Sequence, residues 1–186
     1  NNYYGISLYR STSNTISNST TSQGTYGLYF STAQSNNITG LTSSNNTYGA
    51  YISGGSGNAF SGSSFNNNSY GAFIVSGSGN AFSGSSFNDN TSRGMYFLFS
   101  NGNTVSNSTL NSNNQYGAYL FNSTGNTFTS NSFNQNQTGV FLNGSTGNTF
   151  TNATVQNNTS TGINFTTSPN NSLSNSSFCF NTSSDL

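Results

Sequence analysis

The chain has 186 residues but only two basic and two acidic side chains, no histidine, and no net charge at pH 7. Charge this sparse excludes electrostatic binding to nucleic acid or to an anionic membrane. No apolar run approaches the ~20 residues that a membrane-spanning helix needs. A composition rich in Ser, Thr, Asn and Gly favours disorder. However, 16 Phe and 11 Tyr contradict that interpretation, because most of them recur at fixed intervals.

A glycine recurs every 22 or 23 residues and opens the same local pattern each time. The first and third residues after it are apolar, as in Gly49-Ala50-Tyr51-Ile52, and this period-two alternation is typical of a β-strand. A fixed period of this length indicates a stacked repeat protein. We therefore predict one β-solenoid domain over residues 1–186, with coils starting near Gly5, Gly27, Gly49, Gly71, Gly94, Gly117, Gly139 and Gly162.

Two further short strands are predicted in each coil. The second centres eleven places after the glycine, where an apolar residue is followed by Ser or Thr, as in Phe60-Ser61. The third centres sixteen places after it, as at Phe65, although the first two coils carry Thr21 and Ser43 there; Leu41 is a candidate replacement in coil two. Because Ser, Thr, Asn and Gly disfavour helix interiors, the predicted fold is all-β. It is a single-stranded parallel β-helix of about eight coils, and parallel crossovers favour right-handed winding.

An asparagine stands nine places after every glycine. Two compatible interpretations fit this column: a ladder of side-chain amides hydrogen-bonded from coil to coil, or turn residues in the left-handed conformation. A second column lies nineteen places after the glycine, from Asn46 to Asn181, with Gly24 in the first coil. The candidate structural ladder is Asn14, Asn36, Asn58, Asn80, Asn103, Asn126, Asn148 and Asn171.

The residue two places after the glycine faces outward in the predicted strand, yet it is aromatic in six consecutive coils. A continuous exposed aromatic column marks an association surface. One interpretation is that another segment of the chain covers it. The other, which the absence of a spare segment favours, is a partner: a copy of the same protein or a polysaccharide that stacks on the rings. The candidate interface is Tyr29, Tyr51, Phe73, Tyr96, Tyr119 and Phe141.

The ends of the repeat carry a further expectation. The first glycine is residue 5 and the last unit runs to Leu186, with no additional segment that would cap the solenoid. Uncapped ends predict head-to-tail stacking into a filament or ring. The alternative is that the caps lie elsewhere in a longer precursor, and the lack of an initiator Met favours a processed product or a fragment.

Residues that carry enzyme or metal chemistry are scarce. A nucleophilic triad needs a general base, which no histidine supplies, and Asp89 and Asp185 lie too far apart in the repeat to flank one glycosidic bond. We predict no catalytic residues, no cofactor and no metal site. Arg93 is a candidate for a local pair with Asp89. Cys179 is either a buried small hydrophobe or a possible cross-link between subunits.

The unit Tyr48-Gly49-Ala50-Tyr51-Ile52, continued by Asn58-Ala59-Phe60-Ser61, resembles the right-handed parallel β-helix repeat of NosD-type and pectate-lyase-like proteins. The resemblance covers essentially every coil and implies the fold. Enzymes of this group carry acidic or basic residues on their outer strands, and this chain lacks them. In composition the chain also resembles archaeal surface proteins, including those of cell sheaths.

The sequence therefore predicts an extracellular or cell-surface structural protein without enzymatic activity. It would self-assemble as a homopolymer into a filament, hoop or sheath through its solenoid ends and its aromatic column. The alternative is a carbohydrate-binding or adhesive β-helix module whose partner is a cell-surface polysaccharide. An ice-binding solenoid is disfavoured because the sequence contains no regular Thr-x-Thr array.

Overall fold

The computed structural model describes residues 3–182, which form a parallel β-solenoid of eight coils. One long sheet contains a strand from every coil, and each strand pairs with the equivalent strands of the coils before and after it. Each of these strands begins at or within one residue of the repeating glycine. Their bounds are Tyr4–Tyr9 (β1), Tyr26–Ser31 (β4), Tyr48–Ser53 (β7), Tyr70–Val75 (β9), Arg93–Leu98 (β11), Tyr116–Phe121 (β13), Thr138–Asn143 (β15) and Ile163–Thr166 (β18).

A second sheet also contains one short strand per coil. Its strands are Thr15–Ser17 (β2), Asn37–Thr39 (β5), Ala59–Ser61 (β8), Ala81–Ser83 (β10), Thr104–Ser106 (β12), Thr127–Thr129 (β14), Thr149–Thr151 (β16) and Ser172–Ser174 (β19). The third side is less regular than predicted. It has two pairs of strands, one at each end: Thr20–Ser22 (β3) with Thr42–Ser44 (β6), and Thr154–Gln156 (β17) with Ser177–Cys179 (β20). In the coils between these two pairs, only isolated bridges connect one coil to the next.

The strands pair in parallel with each residue beside its equivalent in the next coil. Tyr29 pairs with Tyr51, and Tyr51 pairs with Phe73. This register confirms the prediction of a parallel β-solenoid of about eight coils. It follows from the repeat, because a shift by one residue would move every apolar side chain from the interior to the surface.

The predicted apolar columns form the core. Ile52 and Ile74 of the first sheet are fully buried, as are Phe65 and Phe87 of the third side. The first two coils are weaker there: Thr21 is buried with an unpartnered hydroxyl, whereas Ser43 donates to the carbonyl of Gly49. Leu41 is fully buried. A polar chain with few large apolar residues can therefore enclose a continuous core, because each coil buries its apolar side chains against those of the two neighbouring coils.

Left-handed residues mark the corners of each coil. They stand five, eight, thirteen and eighteen places after the glycine, as at Ser76, Gly79, Gly84 and Asp89 in coil four. Gly, Asn, Asp and Ser are common at such positions because they tolerate positive φ or bond their own backbone. The abundance of these residues in the composition is thus explained by four tight turns in every coil.

The repeating glycine itself is required by close packing. At Gly49 an added Cβ would lie 2.5 Å from the carbonyl oxygen of Gly71 in the next coil and 2.7 Å from the Nδ2 of Asn68. Both distances are shorter than a Cβ can tolerate, so only glycine fits beneath the following coil.

Within residues 3–182 there is no helix long and apolar enough to cross a membrane. Asp185 lies outside the described residues.

Candidate functional site

Two columns of aromatic side chains run side by side along the outer surface of the first sheet. The column predicted from the sequence stands two places after the glycine, and its rings are half-exposed. A second column, which was not predicted from the sequence, stands one place before the glycine. Its signal was the tyrosine that precedes most of the repeating glycines. We call the two columns together the aromatic face: Tyr29, Tyr51, Phe73, Tyr96, Tyr119 and Phe141 beside Tyr4, Tyr26, Tyr48, Tyr70 and Tyr116.

Rings in adjacent coils stack at the spacing that the strands impose. Ring centroids are 4.7 Å apart between Phe73 and Tyr96, and 4.9 Å apart between Tyr96 and Tyr119. In the second column Tyr26 and Tyr48 stack at 5.2 Å. Tyr48 also contacts Tyr51 of its own strand edge-on at 5.2 Å, so the two columns touch. Strands lie about 4.8 Å apart, which holds each ring within stacking distance of the next.

The aromatic face is wider in its central coils. Val75, Leu98 and Phe121 stand four places after their glycines, point outward and are half-exposed. The ring of Phe121 lies 6.4 Å from that of Tyr119 and 5.9 Å from that of Phe99. Phe99 is 51% exposed and has a φ of 51°, a conformation that bulky residues rarely adopt. These side chains extend the face toward the adjacent turn.

Arg93 interrupts the second column, where it pairs in register with Tyr70 on one side and Tyr116 on the other. Its guanidinium carbon lies 4.3 Å from the ring centroid of Tyr96 and 4.7 Å from that of Tyr119. Its Nε is buried without a hydrogen-bond partner. The expected pair between Arg93 and Asp89 is not formed, and no salt bridge exists within residues 3–182. The cation is therefore held by π faces and by a side-chain hydrogen bond with Tyr96, and no carboxylate in this part of the chain neutralises it.

Tyr48, Tyr51 and Tyr96 of the aromatic face resist ionisation because their pKa values are raised. Burial raises the pKa of Tyr48 and of Tyr51, and the neighbouring tyrosines raise each further. Burial also raises the pKa of Tyr96, although the charge of Arg93 opposes the increase. The hydroxyls therefore remain neutral hydrogen-bonding groups at physiological pH.

Two grooves lined by amides and hydroxyls lie at the turn that leads into the first sheet. The larger has a volume of about 440 Å³ and is lined by Gln23, Gly24, Thr25, Asn45, Asn46, Thr47 and Ser69. The other, of about 270 Å³, is lined by Ser112, Asn113, Asn114, Gln135, Asn136, Gln137 and Thr159. Thr25, Thr47 and Ser69 directly precede tyrosines of the aromatic face, so a polar border follows its edge.

The asparagines nine places after the glycine bond from coil to coil in the interior. Asn58 Nδ2 donates to Asn80 Oδ1 at 2.9 Å, and Asn80 Nδ2 donates to Asn103 Oδ1 at 3.0 Å. From Asn36 onward each Oδ1 also accepts from a backbone amide, as Asn80 Oδ1 does from Asn58 N at 3.1 Å. The left-handed turn residue is the one before the asparagine. Equivalent amide bonds connect Asn14, Asn36, Asn58, Asn80, Asn103, Asn126, Asn148 and Asn171 in order.

The second asparagine column is less continuous, and a third was not predicted. Asn90 and Asn113 bond through their side chains at 3.0 Å, but Asn68 reaches Asn90 only through its backbone amide. Seventeen places after the glycine, Asn88 Oδ1 accepts from the backbone amide of Asn111 at 2.8 Å. The signal for this column was present as Asn66, Asn88, Asn111 and Asn134.

The described part of the chain holds little other chemistry. Cys179 is a half-buried free thiol, and its Sγ lies 3.6 Å from Ser177 Oγ. No group of three or more His, Cys, Asp or Glu side chains comes together among residues 3–182. The predicted cross-link through Cys179 stays a prediction.

The sequence matches the family described as "Right handed beta helix region" over residues 1–69 and 27–178. The chain belongs to this family. The resemblance to right-handed parallel β-helix repeats is thereby confirmed, and the winding of the solenoid is right-handed. Comparison with curated protein sequences gives no match.

Solved structures share the fold at low sequence identity. The A-module of the Azotobacter vinelandii mannuronan C-5 epimerase AlgE4 superposes with a TM-score of 0.83 and 13% identity, covering 91% of this chain and 54% of that one. The periplasmic alginate epimerase AlgG, as a double mutant, gives 0.81 and 16%, covering 94% and 47%. Pectate lyase Pel9A gives 0.65 and 18%, covering 87% and 55%. The chain thus spans about half the length of each structure.

These comparisons correct one prediction. A protein without enzymatic activity was predicted from the sequence, and that prediction is wrong: the three solved structures named above, which share the fold, are two epimerases and a lyase. The physical reason is that a shortage of His, Asp and Glu does not exclude catalysis. Tyrosine also serves as a general acid or base in enzymes, and this chain places many tyrosines on one face.

Proposed function

We propose that the chain binds a polysaccharide along the aromatic face, outside the cytoplasm. The observation that carries this proposal is the continuity of the face. At least one aromatic ring from every coil between Tyr29 and Phe141 projects from the same surface, and the rings follow the solenoid axis. A ligand that repeats along its length fits a surface that repeats along its length.

The chemistry of the surface suits a sugar chain. Pyranose rings have an apolar side that packs on aromatic rings, and hydroxyl edges that exchange hydrogen bonds. The partly exposed rings provide a surface for the apolar side of the sugar. The hydroxyls and amides of the grooves, such as Thr47 and Ser69, lie along the edge of the face and can form hydrogen bonds with the sugar hydroxyls. A continuous, partly exposed aromatic surface of this length is typical of a binding site, because water solvates it poorly.

The relatives support this proposal. Three structures that share the fold are named for mannuronan, alginate and pectate, which are polysaccharides, and one of the three is described as periplasmic. At the observed identities they share only the fold with this chain. Carbohydrate as ligand, and the periplasm or cell surface as location, are therefore extended to this protein as proposals.

A glycan array tests the proposal. The probes are oligosaccharides of six or more sugars with xylan, glucan, mannan, galactan and polyuronate backbones. We expect the wild-type chain to bind a subset of these oligosaccharides. The double variant Tyr51→Ala/Tyr119→Ala should bind the same probes at least tenfold more weakly, because stacking of sugar rings on aromatic rings is lost at two coils. Ser61→Ala and Ser83→Ala, on the second sheet, are the matched controls and should bind as wild type. Absence of binding to every backbone, or equal binding by the double variant, would refute the proposal.

Self-association through the aromatic face is the second candidate. A half-exposed, continuous face also fits a second copy of the chain, and this would realise the homopolymer, filament or sheath predicted from the sequence. Sedimentation velocity on the same samples distinguishes the two. Polymers or oligomers that dissociate in the Tyr51→Ala/Tyr119→Ala variant support self-association, whereas a monomer that binds glycans supports the first candidate.

A further inference from the structure

Arg93 is the one charged side chain on the aromatic face. Among residues 3–182 the other charged side chains are Arg10, in the first coil, and Asp89, at a turn. At the position of Arg93 the neighbouring coils carry Tyr70 and Tyr116. An arginine therefore replaces a ring in the middle of a tyrosine column, in the fifth of eight coils.

No carboxylate pairs with this cation among residues 3–182, although Tyr96 hydrogen-bonds to its side chain. The guanidinium lies over the rings of Tyr96 and Tyr119, and the ring centroids of Tyr70 and Tyr116 are each 5.6 Å from it. π faces attract a cation but accept none of its in-plane N–H bonds. The Nε donor is buried and has no partner. Guanidinium N–H groups arranged in a planar fork bind carboxylate or sulfate oxygens in pairs.

We propose, on the basis of the proposed function, that the bound polysaccharide is a neutral chain carrying an isolated acidic substituent, and that Arg93 binds the acidic group. The neutral sugars lie on the rings of coils on either side. The carboxylate or sulfate lies at coil five, where it pairs with the guanidinium. Arg93 is then the residue that determines which member of a polysaccharide class binds, and it sets the position of the chain along the solenoid.

The same geometry disfavours a polymer with an acid on every sugar. Such a chain would place several anions along the face, and the structure offers a single cation there. The remaining anions would lie over aromatic rings, whose faces carry negative charge density. They would lose water without gaining a partner, which costs free energy. The aromatic face therefore selects for sparse charge as well as for the presence of one charge.

Matched glycan pairs test this inference. The first pair is xylohexaose and the same oligosaccharide with one glucuronic acid branch, and the second is agarohexaose and its mono-sulfated form. Hexagalacturonate represents dense charge. We expect the wild-type chain to bind the singly acidic member of at least one pair about tenfold more tightly than its neutral partner, and more tightly than hexagalacturonate. The pair that shows the preference identifies carboxylate or sulfate as the group bound.

Two variants assign the preference to Arg93. Arg93→Tyr restores the residue that neighbouring coils carry, so it should fold, retain binding to the neutral probe and lose the acidic preference; Arg93→Gln should behave in the same way. Arg10→Gln, the matched control, should keep the preference. Three outcomes would overturn this inference but leave the proposed function standing: equal binding of the neutral and acidic members of both pairs by the wild type, tightest binding of hexagalacturonate, or an acidic preference that survives in Arg93→Tyr. If the wild-type chain binds none of the probes, the proposed function is refuted as well.

Discussion

Asparagine has three different roles in this chain, and its position in the coil decides which one applies. Asn80 is buried and bonds to the coils on both sides. Asn107 occupies a left-handed turn with a φ of 48°. Asn37 lies in a strand of the second sheet with its side chain exposed. Only the first of these satisfies buried backbone groups, so only the first is expected to be sensitive to replacement.

Replacing Asn80 by Ala tests this difference. The change removes the acceptor for the backbone amide and Nδ2 of Asn58, and the donor to Asn103 and to the carbonyl of Gly55. Leaving such buried groups unpaired should lower the free energy of unfolding by about 3 kcal/mol. Chemical denaturation provides the measurement. Asn37→Ala is the control, since alanine stands at the equivalent position in Ala59 and Ala81, and it should change stability by less than about 0.5 kcal/mol.

At the scale of the element, the third side of the coil shows how a strand position tolerates polar residues. From coil three onward this position holds Phe, Leu or Val, and its rings stack, as Phe65 does on Phe87 at 5.2 Å. In coil two, Ser43 has bonding partners and Leu41 is buried close by in sequence. In coil one, Thr21 has a buried hydroxyl with no partner. On the third side of the solenoid, the first coil is thus the least favourably packed.

Thr21→Val removes that defect without changing the shape of the side chain. Because an unpaired buried hydroxyl is costly, the variant should be more stable than wild type by about 1 kcal/mol. The readout is the midpoint of urea unfolding at an unchanged slope. Thr20→Val, at the adjacent exposed position, should not stabilise the chain. A neutral or destabilising effect of Thr21→Val would show that the hydroxyl is solvated.

At the scale of the whole molecule, few groups titrate, and the tyrosines dominate those that do. Burial raises the pKa of Tyr26, Tyr48 and Tyr51 above the ordinary value of 10.0. A raised pKa means that the folded state favours the neutral hydroxyl. The resulting stability is fully present below pH 10 and is lost as the pH rises through the folded values.

Stability should therefore be nearly flat between about pH 5 and pH 9 and should fall above about pH 10. Thermal unfolding followed by circular dichroism across this range is the measurement. The double variant Tyr48→Phe/Tyr51→Phe should retain more of its stability at alkaline pH than wild type, because two ionising groups are removed. A marked loss of stability between pH 5 and pH 9 would contradict the expectation.

The sequence by itself determined the solenoid. A glycine every 22 or 23 residues, with apolar residues one and three places later, allows only coils that stack in register, so the faces that point inward and outward followed directly. The same pattern located the column from Tyr29 to Phe141. It could not exclude catalysis, because activity depends on the geometry of a site rather than on the fold or the inventory of charges.

Only the tertiary structure decided which columns become neighbours. In coil three Gly49 and Ala50 are both buried, so Tyr48 and Tyr51 emerge on the same side and their rings touch. Strict alternation along a strand would have placed Tyr48 and Tyr51 on opposite faces. Three of the four rings around Arg93, those of Tyr70, Tyr116 and Tyr119, likewise come from neighbouring coils, more than twenty positions away, because contacts between stacked strands depend on the register and the turns rather than on nearness in sequence.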